Sequence, residues 1–145
     1  MKNRLGVGTL VLVAGLIICS DKSLAEPAAR PLLTVKQLMN AVITPATATI
    51  WGASDLQTDA QWQAVEHAAL GVIAAGNLLA SGGAGEGETA LAADAEWQTY
   101  NTRMIEAARQ VIAAVKARDE DKLFAVGNDA LYPPCEVCHQ KYQQR

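Results

Sequence analysis

Residues 92–118, AADAEWQTYNTRMIEAARQVIAAVKAR, decide the fold. At 100° per residue, Trp97, Tyr100, Met104, Ile105, Ala108, Val111, Ile112 and Val115 fall into one apolar stripe, the period of an amphipathic helix. Working towards the amino end, SGGAGEGE at 81–88 predicts a flexible, acidic loop. Before it, Thr58-Asp59-Ala60-Gln61 has the form of a capping box. It opens a helix to about Ala80 whose stripe is Trp62, Val65, Ala69, Val72, Ile73, Gly76 and Leu79. A second capping box, Thr34-Val35-Lys36-Gln37, starts a segment whose inward face is Met39, Val42, Ile43, Ala46 and Ile50. Pro45 lies inside that segment, takes away the bond to the Ala41 carbonyl and predicts a kink. Towards the carboxyl end, a fourth segment begins near Asp119 with Leu123, Phe124, Val126 and Leu131. Pro133-Pro134 is expected to interrupt it before a final short turn or helix from Cys135 to Gln144.

Four helical segments with short connections and one apolar face each predict an all-α antiparallel four-helix bundle. Composition agrees. Of 145 residues, 27 are Ala and only seven are aromatic, which favours closely packed helices over strands. Three cysteines are too few for a disulfide scaffold. Twelve basic against fifteen acidic residues argue against a nucleic-acid partner.

The first 25 residues read as a cleaved export signal: Lys2 and Arg4, an uncharged run from Leu5 to Ile18, then Ser23-Leu24-Ala25 before Glu26. A retained anchor helix or lipoprotein processing at Cys19 are the other readings. Cleavage leaves residues 26–145 as a single domain with nine basic and fourteen acidic side chains, a net charge of −5. The expected location is the periplasm, an oxidising compartment, with no membrane span after cleavage. Two cysteines remain, Cys135 and Cys138, and both histidines, His67 and His139.

Cys135-Glu136-Val137-Cys138-His139 has the C-x-x-C-H form of a c-type haem attachment site. On a helix these three side chains lie at roughly 0°, −60° and +40°, on one face. Two thiols so placed can each add to a vinyl group of one porphyrin, with the imidazole as proximal iron ligand. Tyr142, one turn on, points the same way. Zinc would need a fourth ligand, a thioredoxin-like pair would need a βαβ unit, and a plain disulfide between the two cysteines is the bland alternative.

With CEVCHQKY at 135–142 closing a four-helix chain, the sequence resembles the cytochrome c′ family, the class II c-type cytochromes. The match of C-x-x-C-H-x-x-Y is its specific part, although Gln143 stands where the family often has a basic residue. The resemblance implies one covalent haem c per chain, with Cys135 and Cys138 as anchors, His139 proximal and Tyr142 beside it. One branch of the family closes the distal side with a methionine from the first helix and carries electrons; Gln37-Leu38-Met39 resembles that position. Another branch leaves it open and binds nitric oxide or carbon monoxide, in which case Met39 and Ile43 would line the pocket. Met39 could equally be packing, as Met104 is expected to be, and His67 lies opposite its helix's stripe and should face solvent.

The resulting expectation is a periplasmic single-electron carrier with no substrate chemistry of its own. The acidic surface calls for redox partners with a basic docking patch. Trp62 and Trp97 are expected in the core. Trp51, off the inward face, is a candidate for the homodimer contact that the family often makes through its first two helices.

Overall fold

A computed structural model describes residues 30–143, and every regular element among them is helical, with no strand. The chain is all-α. The expected export signal, residues 1–25, lies outside the described residues. No helix among them is long and apolar enough to cross a membrane.

Four helical runs account for the segments read from the sequence. The first, α1, joins Val35–Leu38, a π-helical turn Met39–Ile43 and Thr44–Trp51. The second, α2, is Asp59–Leu79. A short 3₁₀ helix, Glu88–Ala93, leads into α3, Ala95–Ala117. The last, α4, joins Glu120–Ala125, a π-helical turn Val126–Leu131 and Tyr132–Tyr142. Both expected capping boxes form: Thr34 and Gln37 bond reciprocally at the head of α1, and Thr58 and Gln61 at the head of α2.

The second and third runs lie antiparallel, as the contacts at their ends require. The Trp97 indole N–H at the start of α3 donates to the Leu79 carbonyl at the end of α2, 2.8 Å away. Arg118, just past the end of α3, pairs with Asp59 at the start of α2. Both runs carry fully buried small residues, Ala69 and Ala75 on α2 and Ala107, Ala108 and Ala114 on α3, all at 0–1% exposure. Gly76 permits the closest approach, since a Cβ there would stand 2.5 Å from Ile105 Cγ1. Small side chains let helix axes approach towards the short end of the 8–10 Å range, and the larger Trp62, Trp97, Val72 and Val111 fill the ends and centre.

The prolines do not break their helices. In each run a π turn comes directly before the proline: the Thr44 N–H donates to the Met39 carbonyl ahead of Pro45, and the Tyr132 N–H to the Gly127 carbonyl ahead of Pro133. A ring in the interior of an α-helix has no N–H and collides with the carbonyl four residues back. The wider turn takes up the conflict and puts each proline in the first turn of a fresh α segment, where that N–H has no partner to lose. The expected interruption at Pro133-Pro134 is therefore corrected to one helical run through Tyr142. The extra residue also rotates the buried face of α1. Leu38, Ile43, Thr47 and Ile50 are buried while Met39, Val42 and Ala46 are half-buried, and the Thr47 hydroxyl donates to the Ile43 carbonyl at 2.9 Å.

Two further expectations change. Phe124 is 73% exposed, because Leu123, Val126 and Leu131 already fill the inward positions of α4. The 81–88 loop is held in place. The Glu88 carboxylate accepts the backbone N–H groups of Val35 and Gly85, both at 2.9 Å, and Ala84 N–H donates to the Leu33 carbonyl. Gly82 makes this turn with φ +77°, and a Cβ there would lie 2.2 Å from the Glu88 carbonyl oxygen. Gly82→Ala is expected to cost about 2 kcal/mol. Urea unfolding checks it: the midpoint should fall, and an unchanged midpoint would contradict this turn.

Candidate cofactor site

The segment Tyr132–Tyr142 starts with prolines in its first turn and carries Cys135, Cys138 and His139 within about one turn of an unbroken helix. Cys135 and Cys138 are half-buried free thiols. The Cys135 S–H donates to the Leu131 carbonyl at 3.2 Å, one turn back. Burial pushes both thiols up to about 11, and for Cys138 the neighbouring Cys135 adds to the effect, so both are neutral at pH 7. His139 is exposed, at the rim of the space the cysteines face.

That space is a cavity of about 620 Å³ between α1, α3 and α4. Met39, Ile43, Thr47 and Trp51 of α1 form one wall; Trp97, Asn101 and Met104 of α3 form another; Cys135, Cys138 and His139 of α4 close the third. Residues nearly a hundred positions apart in the chain, Met39 and the C-x-x-C-H segment, thus share one apolar chamber of the size expected for a single organic ligand or cofactor. Met104 is buried and also faces it. His67 is exposed on α2 and stands away from it, as the sequence predicts.

Two aromatic residues make contacts across the fold at this end of the chain. Trp51, 45% exposed, spans from solvent to the cavity wall; its indole N–H donates to the Gly127 carbonyl at 3.0 Å and its ring meets Tyr132 edge-on at 6.2 Å. It ties α1 to α4 within the chain, an intrachain role that the expectation of a subunit contact did not foresee. Tyr142 does not line the cavity. Its hydroxyl donates to Asp94 Oδ2 at 2.8 Å, and its ring meets Trp97 edge-on at 5.2 Å.

Asp94 completes this corner. Its Oδ1 caps α3 by accepting the N–H groups of Glu96 and Trp97. The Tyr142 hydroxyl, and then the Trp97 N–H, hold its carboxyl below the usual carboxylate range. Because the folded-state value is lowered, its contribution to stability is complete above the ordinary carboxylate pKa and is lost as pH falls through the lowered one. Glu96 is lowered likewise, chiefly by Lys141.

Asn101 is the polar residue that pattern reading passed over. It occupies the inward stripe of α3 between Trp97 and Met104, 8% exposed. Its Nδ2 donates to the Gly76 carbonyl at 2.8 Å, which orients the amide, while buried Oδ1 has no partner among the described residues. An unpaired buried acceptor costs about 1–3 kcal/mol, so the wall of this cavity is suited to meeting a further group.

The donor set fits a covalently held tetrapyrrole. Two neutral thiols, one imidazole and the thioether sulfurs of Met39 and Met104 border a space otherwise walled largely by apolar and aromatic side chains. Among the described residues, no group of three or more His, Cys, Asp or Glu side chains is placed to hold a metal ion by itself. No protein-family model, curated protein or solved structure matches this chain.

Proposed function

We propose that residues 26–145 form an antiparallel four-helix bundle of the cytochrome c′ kind, carrying one covalent haem c and passing single electrons between redox partners in the periplasm. The observation that carries this reading is the meeting of Met39 with Cys135, Cys138 and His139 around one apolar cavity. Cys135 and Cys138 would hold the group through thioether bonds, His139 would supply the proximal nitrogen and Met39 the distal sulfur. Bound there, a haem supplies a one-electron iron couple, and methionine ligation favours its reduced state.

The protein's own part is to bind, orient and exclude water. Ile43, Trp97, Met104 and Trp51 present apolar surface to the cavity, which keeps the local dielectric low. The two π turns let α1 and α4 run on past their prolines, and the walls they form carry Met39 and the two cysteines. No substrate chemistry is assigned to the chain. A net charge of −5 over residues 26–145 suits partners with a basic docking patch and an association weakened by salt.

The absorption spectrum of protein purified from cells with haem-attachment machinery tests this directly, oxidised and reduced, with and without carbon monoxide. A low-spin reduced spectrum indifferent to carbon monoxide is the expected result. A high-spin spectrum that shifts at once with the gas would replace electron transfer by gas binding at an open distal site. A colourless protein would reject both.

A further inference from the structure

The last turn of α4 is fastened to the first turn of α3 through one carboxylate. Asp94 uses Oδ1 to cap α3, accepting Glu96 N–H at 2.9 Å and Trp97 N–H at 3.3 Å, and uses Oδ2 to accept the Tyr142 hydroxyl at 2.8 Å. The Tyr142 ring stands at 88° to Trp97, and Trp97 is itself fixed by its bond to the Leu79 carbonyl. The chain from α2 through Trp97 and Asp94 to Tyr142 is therefore continuous. Beside it, Lys141 pairs with Glu96.

Tyr142 lies three residues beyond His139, so the two side chains leave the same side of the helix within one turn. Glu136, Val137, His139, Gln140 and Gln143 are exposed, while Pro134 is buried and Cys135, Cys138 and Tyr142 pack half-buried against the core, so burial fixes which face of this turn is inward and directional contacts refine its rotation and height. Two polar contacts join it to the first turn of α3, the Lys141–Glu96 pair and the Asp94–Tyr142 bond, and in the second the acceptor is the capping residue itself.

We propose that Asp94 is the positioning residue for His139: by receiving Tyr142 while it caps α3, it sets the rotation and height of the turn that presents the imidazole. The inference rests on the haem reading above. Orientation of an axial imidazole governs the strength of its bond to iron and hence the reduction potential.

Four variants of the haem-loaded protein test it, each read by its spectrum and its midpoint potential. Asp94→Ser keeps a good N-cap but has no second oxygen for Tyr142. Tyr142→Phe keeps the ring against Trp97 and removes only the hydroxyl. Each should shift the one-electron equilibrium severalfold, up to tenfold or 59 mV, and the double variant should shift it no further than either alone. Asp94→Asn, which keeps the cap and a polar partner for Tyr142 but drops the charge, should restore the wild-type potential. Unshifted single variants, or shifts that add in the double variant, would overturn the proposal. An Asn variant that behaves like the Ser variant would overturn it too, because charge rather than position would then be the cause. Failure of the haem reading looks different: the wild-type protein itself would be colourless.

Discussion

Replacing Cys135 and Cys138 together by serine is expected to leave no haem on the chain after acid–organic extraction, whereas the wild-type protein keeps its colour through the same treatment. Serine is nearly isosteric and forms no thioether, so the change removes attachment without removing bulk. The polypeptide should still fold, because neither thiol is fully buried and the core contacts of α4 come from Leu123, Val126 and Leu131. Its stability should nevertheless fall sharply. An occupant that binds the folded state alone stabilises it by mass action, and its loss would leave about 620 Å³ of largely apolar space at the meeting of three helical runs. Either single variant should keep covalent haem through the remaining sulfur. Haem that resists extraction from the double variant would refute attachment at this pair.

Met39→Ala carries the second large effect, and its control is within the same cavity. If Met39 is the distal ligand, the variant should pass from a low-spin to a high-spin spectrum and bind carbon monoxide at once. Met39 is half-buried, so the cost in packing should be small. Met104→Ala should behave in the opposite way. Met104 is 6% exposed in the core of α3, so its truncation should cost about 2–5 kcal/mol while the spectrum stays low-spin. The two variants thus separate ligation from packing, although both sulfurs face the same space. A spectrum altered by Met104→Ala and untouched by Met39→Ala would transfer the ligand role to α3.

Local signals carried much of the fold. The stripes through Trp62, Val65, Ala69 and Val72 and through Trp97, Met104, Ala108 and Val111 are inward in the structure, and Thr34 and Thr58 cap the helices they announce. These succeed because helical period and capping involve residues three or four apart. The errors also have local causes. Pro133-Pro134 signals broken hydrogen bonds, and sequence does not say whether a helix answers by ending or by widening into a π turn. Phe124 is apolar, but three better-placed residues occupy the core positions around it.

The site divides along the same line. Cys135, Cys138 and His139 are legible as a group because they lie within about one turn of one helix, and Met39 because it falls on the apolar side of the first helix; all four line one cavity. The partners of this corner are not. Trp51 bonds Gly127 across 76 positions, Val35 bonds Glu88 across 53, and Tyr142 bonds Asp94 across 48. Asn101 left a faint trace as a polar residue on an apolar stripe, but its meaning depends on Gly76 standing opposite. By itself, then, the sequence determined four amphipathic segments, their caps and a compact set of candidate site residues in the last of them. Only the tertiary structure decided how α1 and α4 pass their prolines, which walls share a cavity, and which carboxylate holds the turn bearing His139. The first set follows from short-range periodicity along one chain segment; the second follows from directional bonds between segments, whose partners are chosen only when helices pack.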